Sequence, residues 1–258
     1  MLYSIIMPVP KPVVIELLAR LNRHIGEKAM LSEFELASIR RDATKLLLSN
    51  AYDGHLVLGA VCAQEFDEVG ARQHHKAAIA LNRSAEAYAN FAVSLNRLGY
   101  LRESVEQQKI AVDIEPEMVG YLDQLLSFQT FGGLVSAAQL TLKVWHQRSP
   151  AREWSDAEQL RNIASVAEKL SLDDALIVIH VETAFGILRE RKINFLFHKC
   201  DPETEFGDWA LYYTIVVGLD TEDVMDLNEV LYARLDEAIP NWNPARISVT
   251  FEGSLVAA

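Results

Sequence analysis

The sequence predicts a mainly helical protein, a stack of helical hairpins followed by a small α+β module. Three observations predict it. Small and turn residues recur at 34-residue steps, Gly99 with Gly133, Ser104 with Ala138 and Pro116 with Pro150. Such an internal period decides a fold before any local reading does. Apolar residues before residue 192 fall at helical three- and four-residue steps. After residue 192 the pattern changes to short runs of β-branched and aromatic residues. The chain divides accordingly into an N-terminal helix pair (1–50), helical repeats with a bridging helix (51–192) and an acidic β-β-α-β module (193–258).

The first helix begins at Lys11-Pro12-Val13, where proline is tolerated in the opening turn, and is expected to stop at Gly26. Val14, Leu17, Leu18, Leu21 and Ile25 form its apolar face. Ser32-Glu33-Phe34-Glu35 reads as a capping box. The next helix buries Leu36, Ile39, Ala43, Leu46 and Leu47. Further on, helices over 156–169 and 172–192 are expected, with Ser155 and Ser171 as caps. The second is long and apolar enough to bridge the repeats and the C-terminal module. Ile193–Cys200, Ala210–Leu219 and Ile247–Phe251 read as strands. A helix capped by Thr221, with Val224, Leu227, Val230, Leu231, Leu235 and Ile239 as its apolar face, crosses over between the last two.

The segment from Ala85 to Glu117 resembles a tetratricopeptide repeat along nearly its full length. Tyr88, Phe91, Ala92 and Leu95 match the packing of the first helix, Gly99-Tyr100 the turn, and Ser104, Ala111 and Pro116 the second helix. The unit before it, Tyr52 to Ser84, matches at Leu58-Gly59, Ala71 and Ala78, with Glu65 in place of the turn glycine and Arg83 in place of the proline. The unit after it, Val119 to Arg152, matches at Leu122, Leu125, Gly133, Ala138 and Pro150, with bulky Trp145 where alanine is usual. In that family the first helix of each unit lines a concave groove that receives a peptide or helix of another protein. The resemblance therefore implies a non-catalytic adaptor or chaperone-like binder. Carried onto this chain, the partner-binding positions are Leu56, Ala60 and Gln64, then Ala89, Val93, Asn96 and Arg97, then Asp123, Ser127 and Thr130. Ala63 and Phe131 lie beside them. Val93 would give apolar contact, and Asn96 and Arg97 would fix the orientation of the visitor.

Charge narrows the partners. Of the net −12, the last 66 residues carry 3 basic residues against 12 acids. That field repels nucleic-acid phosphates and attracts basic surfaces. It supports a second reading, an antitoxin or immunity protein that covers a basic toxin with the acidic module. The longest apolar run, Ala210–Val217, is far short of a membrane helix. With no basic residue before Lys11 and prolines at 8, 10 and 12, the N-terminus makes a poor signal peptide. Cys62 and Cys200 are too far apart in sequence to suggest a disulfide framework and suit a reducing cytoplasm. A homo-oligomer is compatible with all of this.

Chemistry finds little support. His198 and Cys200 share one strand face, which is the basis of a minor enzyme reading, but no orienting group or oxyanion site accompanies them. The adjacent His74 and His75 diverge on a helix, and no other His, Cys or carboxylate set has metal-ligand spacing. Glu203, Glu205 and Asp208 read as a solvated turn. No catalytic residue, metal or cofactor is expected.

Overall fold

The computed structural model describes residues 13–27, 31–203 and 209–254. Ten helices come first: α1 (Val13–Glu27), α2 (Glu33–Ser49), α3 (Ala51–Gln64), α4 (Glu68–Leu81), α5 (Ala85–Arg97), α6 (Leu101–Ile114), α7 (Val119–Phe131), α8 (Val135–Arg148), α9 (Ala157–Lys169) and α10 (Asp174–Arg191). Beyond them lie β1 (Phe195–Glu203), β2 (Ala210–Val217), α11 (Thr221–Ala238) and β3 (Ile247–Gly253). The protein is thus mainly helical, with a small three-stranded sheet near its C-terminal end.

Local chemistry explains most boundaries. Ser32 and Glu35 form the expected capping box, Glu35 N–H donating to Ser32 Oγ at 3.3 Å and Ser32 N–H to Glu35 Oε2 at 3.1 Å. Four boundaries differ from expectation. α1 continues through Gly26 to Glu27. Asp156 and Asp173 precede α9 and α10, rather than Ser155 and Ser171, and Asp173 accepts Leu176 N–H. Asp220, not Thr221, caps α11, because its carboxylate accepts Asp223 N–H.

A single turn geometry joins the helices from α3 to α10 in pairs. A residue with positive φ sits at Phe66 (56°), Gly99 (78°), Gly133 (83°) and Ser171 (51°). The next residue's N–H returns to the carbonyl five positions back: Asp67 to Cys62, Tyr100 to Leu95, Leu134 to Gln129 and Leu172 to Ala167. This bond satisfies a carbonyl that the helix end leaves open. In the first pair the left-handed position is therefore Phe66, one residue beyond Glu65. Ser171 belongs to a turn and not to a cap.

α10 packs along these turns. A Cβ on Gly99 would lie 2.8 Å from Phe185 Cβ, and one on Gly133 would lie 2.7 Å from Ile177 Cγ2. The Asp174 carboxylate accepts Ser136 N–H at 2.9 Å and so caps α8, whose own N-cap residue Leu134 cannot. Arg189 stacks 4.2 Å from the Tyr100 ring centroid and donates to the carbonyls of Leu98 and Gly99.

The sheet has the order β1-β2-β3, antiparallel then parallel, with a bulge between Phe195 and Phe197. Leu211, Tyr213, Ile215, Ile247, Val249 and Phe251 meet Val224, Leu227, Leu231 and Leu235 of α11 in one core. That core runs without interruption from Leu101 to Phe251, so residue 193 marks a change of secondary structure across which packing continues. The β3 edge is partly occupied by side chains. Asn228 exchanges both hydrogen bonds with the Phe251 backbone, and Trp242 Nε1–H donates to Ile247 O. Among the described residues no helix is long and apolar enough to cross a membrane.

Candidate functional site

Arg97 closes α5, and each of its three guanidinium nitrogens donates within the chain. Nε–H donates to Gln64 Oε1 at 3.1 Å, Nη1–H to Phe195 O at 2.7 Å and Nη2–H to Asn194 Oδ1 at 2.7 Å. The group lies 4.8 Å from the Phe195 ring centroid, and Asn194 Nδ2–H reaches Gln64 O at 3.4 Å. Burial pushes Arg97 down to about 10, still protonated at neutral pH. This knot holds the start of β1 against α3 and α5. Three of the five N–H donors of Arg97, which was expected to orient a visitor, are thus spent on the chain itself.

Beside the knot lies a cavity of about 290 Å³. Val93, Asn96 and Arg97 of α5 form one side, Gln124, Phe128 and Phe131 of α7 the second, and Phe195 to His198 of β1 the third, with Gln64 at the margin. Its walls are dominated by aromatic rings. His198 is packed by Phe131, Phe185 and Phe195, with ring centroids at 5.6, 5.5 and 5.6 Å. Burial holds the imidazole down to about 4, so it is neutral, and its Nδ1 has no hydrogen-bond partner. Cys200 is wholly buried, and burial pushes its thiol up to about 12. Both shifts move away from the thiolate–imidazolium pair that nucleophilic work needs.

The other expected positions separate. Asp123 and Ser127 border a second cavity of about 700 Å³ between α7 and residues 152–155. Asp123 is partly occupied there, accepting Trp145 Nε1–H at 2.6 Å. Leu56, Ala89 and Thr130 are buried packing residues, and the groove assignment is corrected for these three, while Ala60 is half-buried. Leu56 is fully buried against Ala78 and Ala87, and Ala60 packs toward α1 and α2. Ala89 is buried beside Tyr88 and Tyr121, and Thr130 has no exposed surface. Sequence reasoning missed Gln124 and Phe128. Their step of i, i+4, i+7 with Phe131 was the available sign, one residue out of register with 123, 127 and 130.

No metal centre forms: among the described residues no group of three or more His, Cys, Asp or Glu could hold an ion. His74 and His55 do meet, Nδ1 to Nδ1, at 2.8 Å. Glu205 and Asp208 lie outside the described residues. His75 is wholly buried on Ser94 Oγ at 2.7 Å, and burial pushes it down to about 3. An unfolded histidine titrates near 6.5, so the unfolded chain binds the extra proton first as pH falls. The stability His75 gives is complete above pH ~6.5 and is lost progressively toward its folded value. We expect this residue alone to cost about 2 kcal/mol between pH 7 and 5. Urea unfolding at the two pH values checks it, with His75→Gln, which keeps a bond to Ser94, showing the shallower pH slope.

No family model matches this chain, and no curated protein matches it at a significant level.

Proposed function

We propose that this protein is a non-catalytic, cytoplasmic protein-interaction module of the tetratricopeptide-repeat type. It takes an apolar side chain of a partner segment into the α5–α7–β1 cavity. The observation that carries the reading is the cavity itself: about 290 Å³, walled by Val93, Phe128, Phe131 and Phe195, with Asn96 and Gln124 as its polar groups. That composition suits a buried anchor with a few orienting hydrogen bonds. The repeat reading is supported by left-handed turn residues spaced 33, 34 and 38 apart and by the contact of α3 with α5. In this reading β1 is a wall of the groove, and Arg97 acts by holding that wall. Cytoplasmic residence is supported by Cys62 and Cys200, both buried free thiols.

A random peptide library displayed against the full chain tests the proposal. Selected peptides should share a Leu, Phe or Trp anchor. Val93→Trp, which fills the cavity, should weaken them roughly tenfold or more while leaving the melting curve in place. No enrichment, or equal binding to the filled variant, would sink it.

A second reading is favoured by the outer face of α11. Glu222, Asp223, Asp226, Glu229, Asp236 and Glu237 are all exposed there. The helix's one cation, Arg234, is already paired with Glu190 at 2.6 Å. Such a face fits a basic partner, as an antitoxin or immunity protein would meet, and its binding would fall steeply with added salt.

A further inference from the structure

On the opposite side of α10 from the repeat turns, a smaller cavity of about 190 Å³ lies between α10 and the α11–β3 connection. His180 lines it with no exposed surface. Its Nδ1 is 2.7 Å from Leu176 O. A carbonyl can only accept, so the proton of this neutral ring sits on Nδ1 and Nε2 presents a bare lone pair. That lone pair has no partner. Burying an acceptor unmet is costly, so a donor brought to Nε2 would be stabilising.

The surroundings indicate which donor. Leu176, Ile239, Ile247 and Trp242 give apolar walls, the exposed Asn241 and Asn243 also line the cavity, and the Trp242 indole N–H is already spent on Ile247 O. Arg246 is exposed where it lines the cavity, giving one N–H to Leu170 O and retaining others on its guanidinium. A fixed acceptor inside, largely apolar walls and a cation outside define a small amphiphile. The volume agrees: roughly 150 Å³ holds benzene, so this cavity takes one substituted ring.

We infer that this cavity binds a single-ring aromatic acid whose ring hydroxyl or N–H donates to His180 Nε2 and whose carboxylate meets Arg246. The inference is independent of the groove reading, which concerns other residues on another face.

The probe is 4-hydroxybenzoate, titrated calorimetrically into the full chain beside benzoate and phenol. Saturable binding at roughly millimolar affinity or tighter is expected. Benzoate should bind about tenfold or more weakly, because it leaves Nε2 unmet. Arg246→Gln should reduce 4-hydroxybenzoate to the affinity of phenol and leave phenol unchanged. His180→Phe should erase the preference for the hydroxyl. If that variant does not fold, the wild-type ligand series and Arg246→Gln still decide. No binding by any probe, equal binding of benzoate and 4-hydroxybenzoate, or an Arg246→Gln variant with unaltered affinities would overturn the inference, leaving a cavity that holds only water.

Discussion

Arg97→Met should lower the stability of the protein by about 3 kcal/mol while leaving its helix content unchanged. Methionine replaces most of the side-chain volume, so the loss reports the three hydrogen bonds to Gln64, Phe195 and Asn194 together with the guanidinium's contact on the Phe195 ring. The Phe195 carbonyl left buried and unmet costs about 1–3 kcal/mol, and the half-buried Gln64 and Asn194 acceptors cost less. The sum is reduced because burying the guanidinium was itself unfavourable, as its lowered pKa records. Arg97→Lys should recover little, since an ammonium cannot span three acceptors as the planar fork does. Urea unfolding gives the magnitude. Amide exchange should quicken at Phe195–His198 more than at β2 or β3. A variant as stable as the parent, with β1 still protected, would show that Arg97 does not hold this wall.

The second large effect concerns the turns. Gly99→Ala and Gly133→Ala should each cost about 3 kcal/mol. Part is conformational, because φ values of 78° and 83° place an L residue in a disfavoured region. The rest is steric, since the new methyl meets Phe185 or Ile177 inside 3 Å. The two together should cost less than their sum, as either one lifts α10 from the turns and relieves the other. Ser171→Gly is the converse. Its left-handed serine is exposed, so glycine should add about 0.5–1 kcal/mol. Thermal unfolding of the three variants tests the set, and a stabilised Gly133→Ala would contradict the packing described.

The same turns show why part of the fold was legible. Gly99 and Gly133 announce their conformation by residue type. Phe66 and Ser171 adopt it without any such mark, because the return hydrogen bond and, for Phe66, packing beside Cys62, Ala71 and Leu98 offset the cost. Trp145 looked too large for its place, yet it is buried because Asp123 accepts its indole N–H. In the candidate site, Val93 and Asn96 are reached only through the repeat resemblance, and both line the cavity. The β1 wall could not be read from the sequence, since Arg97 and Phe195 are 98 residues apart. The one-residue offset on α7, between Asp123 and Ser127 and the cavity-lining Gln124 and Phe128, has a similar origin. A repeat register fixes which helix faces inward more closely than which of two adjacent side chains does.

By itself the sequence determined the helices, their pairing, and the hairpin-plus-crossover sheet. These arise from hydrogen bonds and apolar contacts made within one helix or between neighbouring elements. The tertiary structure alone decided that α10 caps α8 through Asp174, that Arg97 fastens β1 across the repeats, and that His75, His180 and His198 are held neutral. Desolvation and cross-chain hydrogen bonds depend on which distant surface covers a group, and no local spacing encodes that.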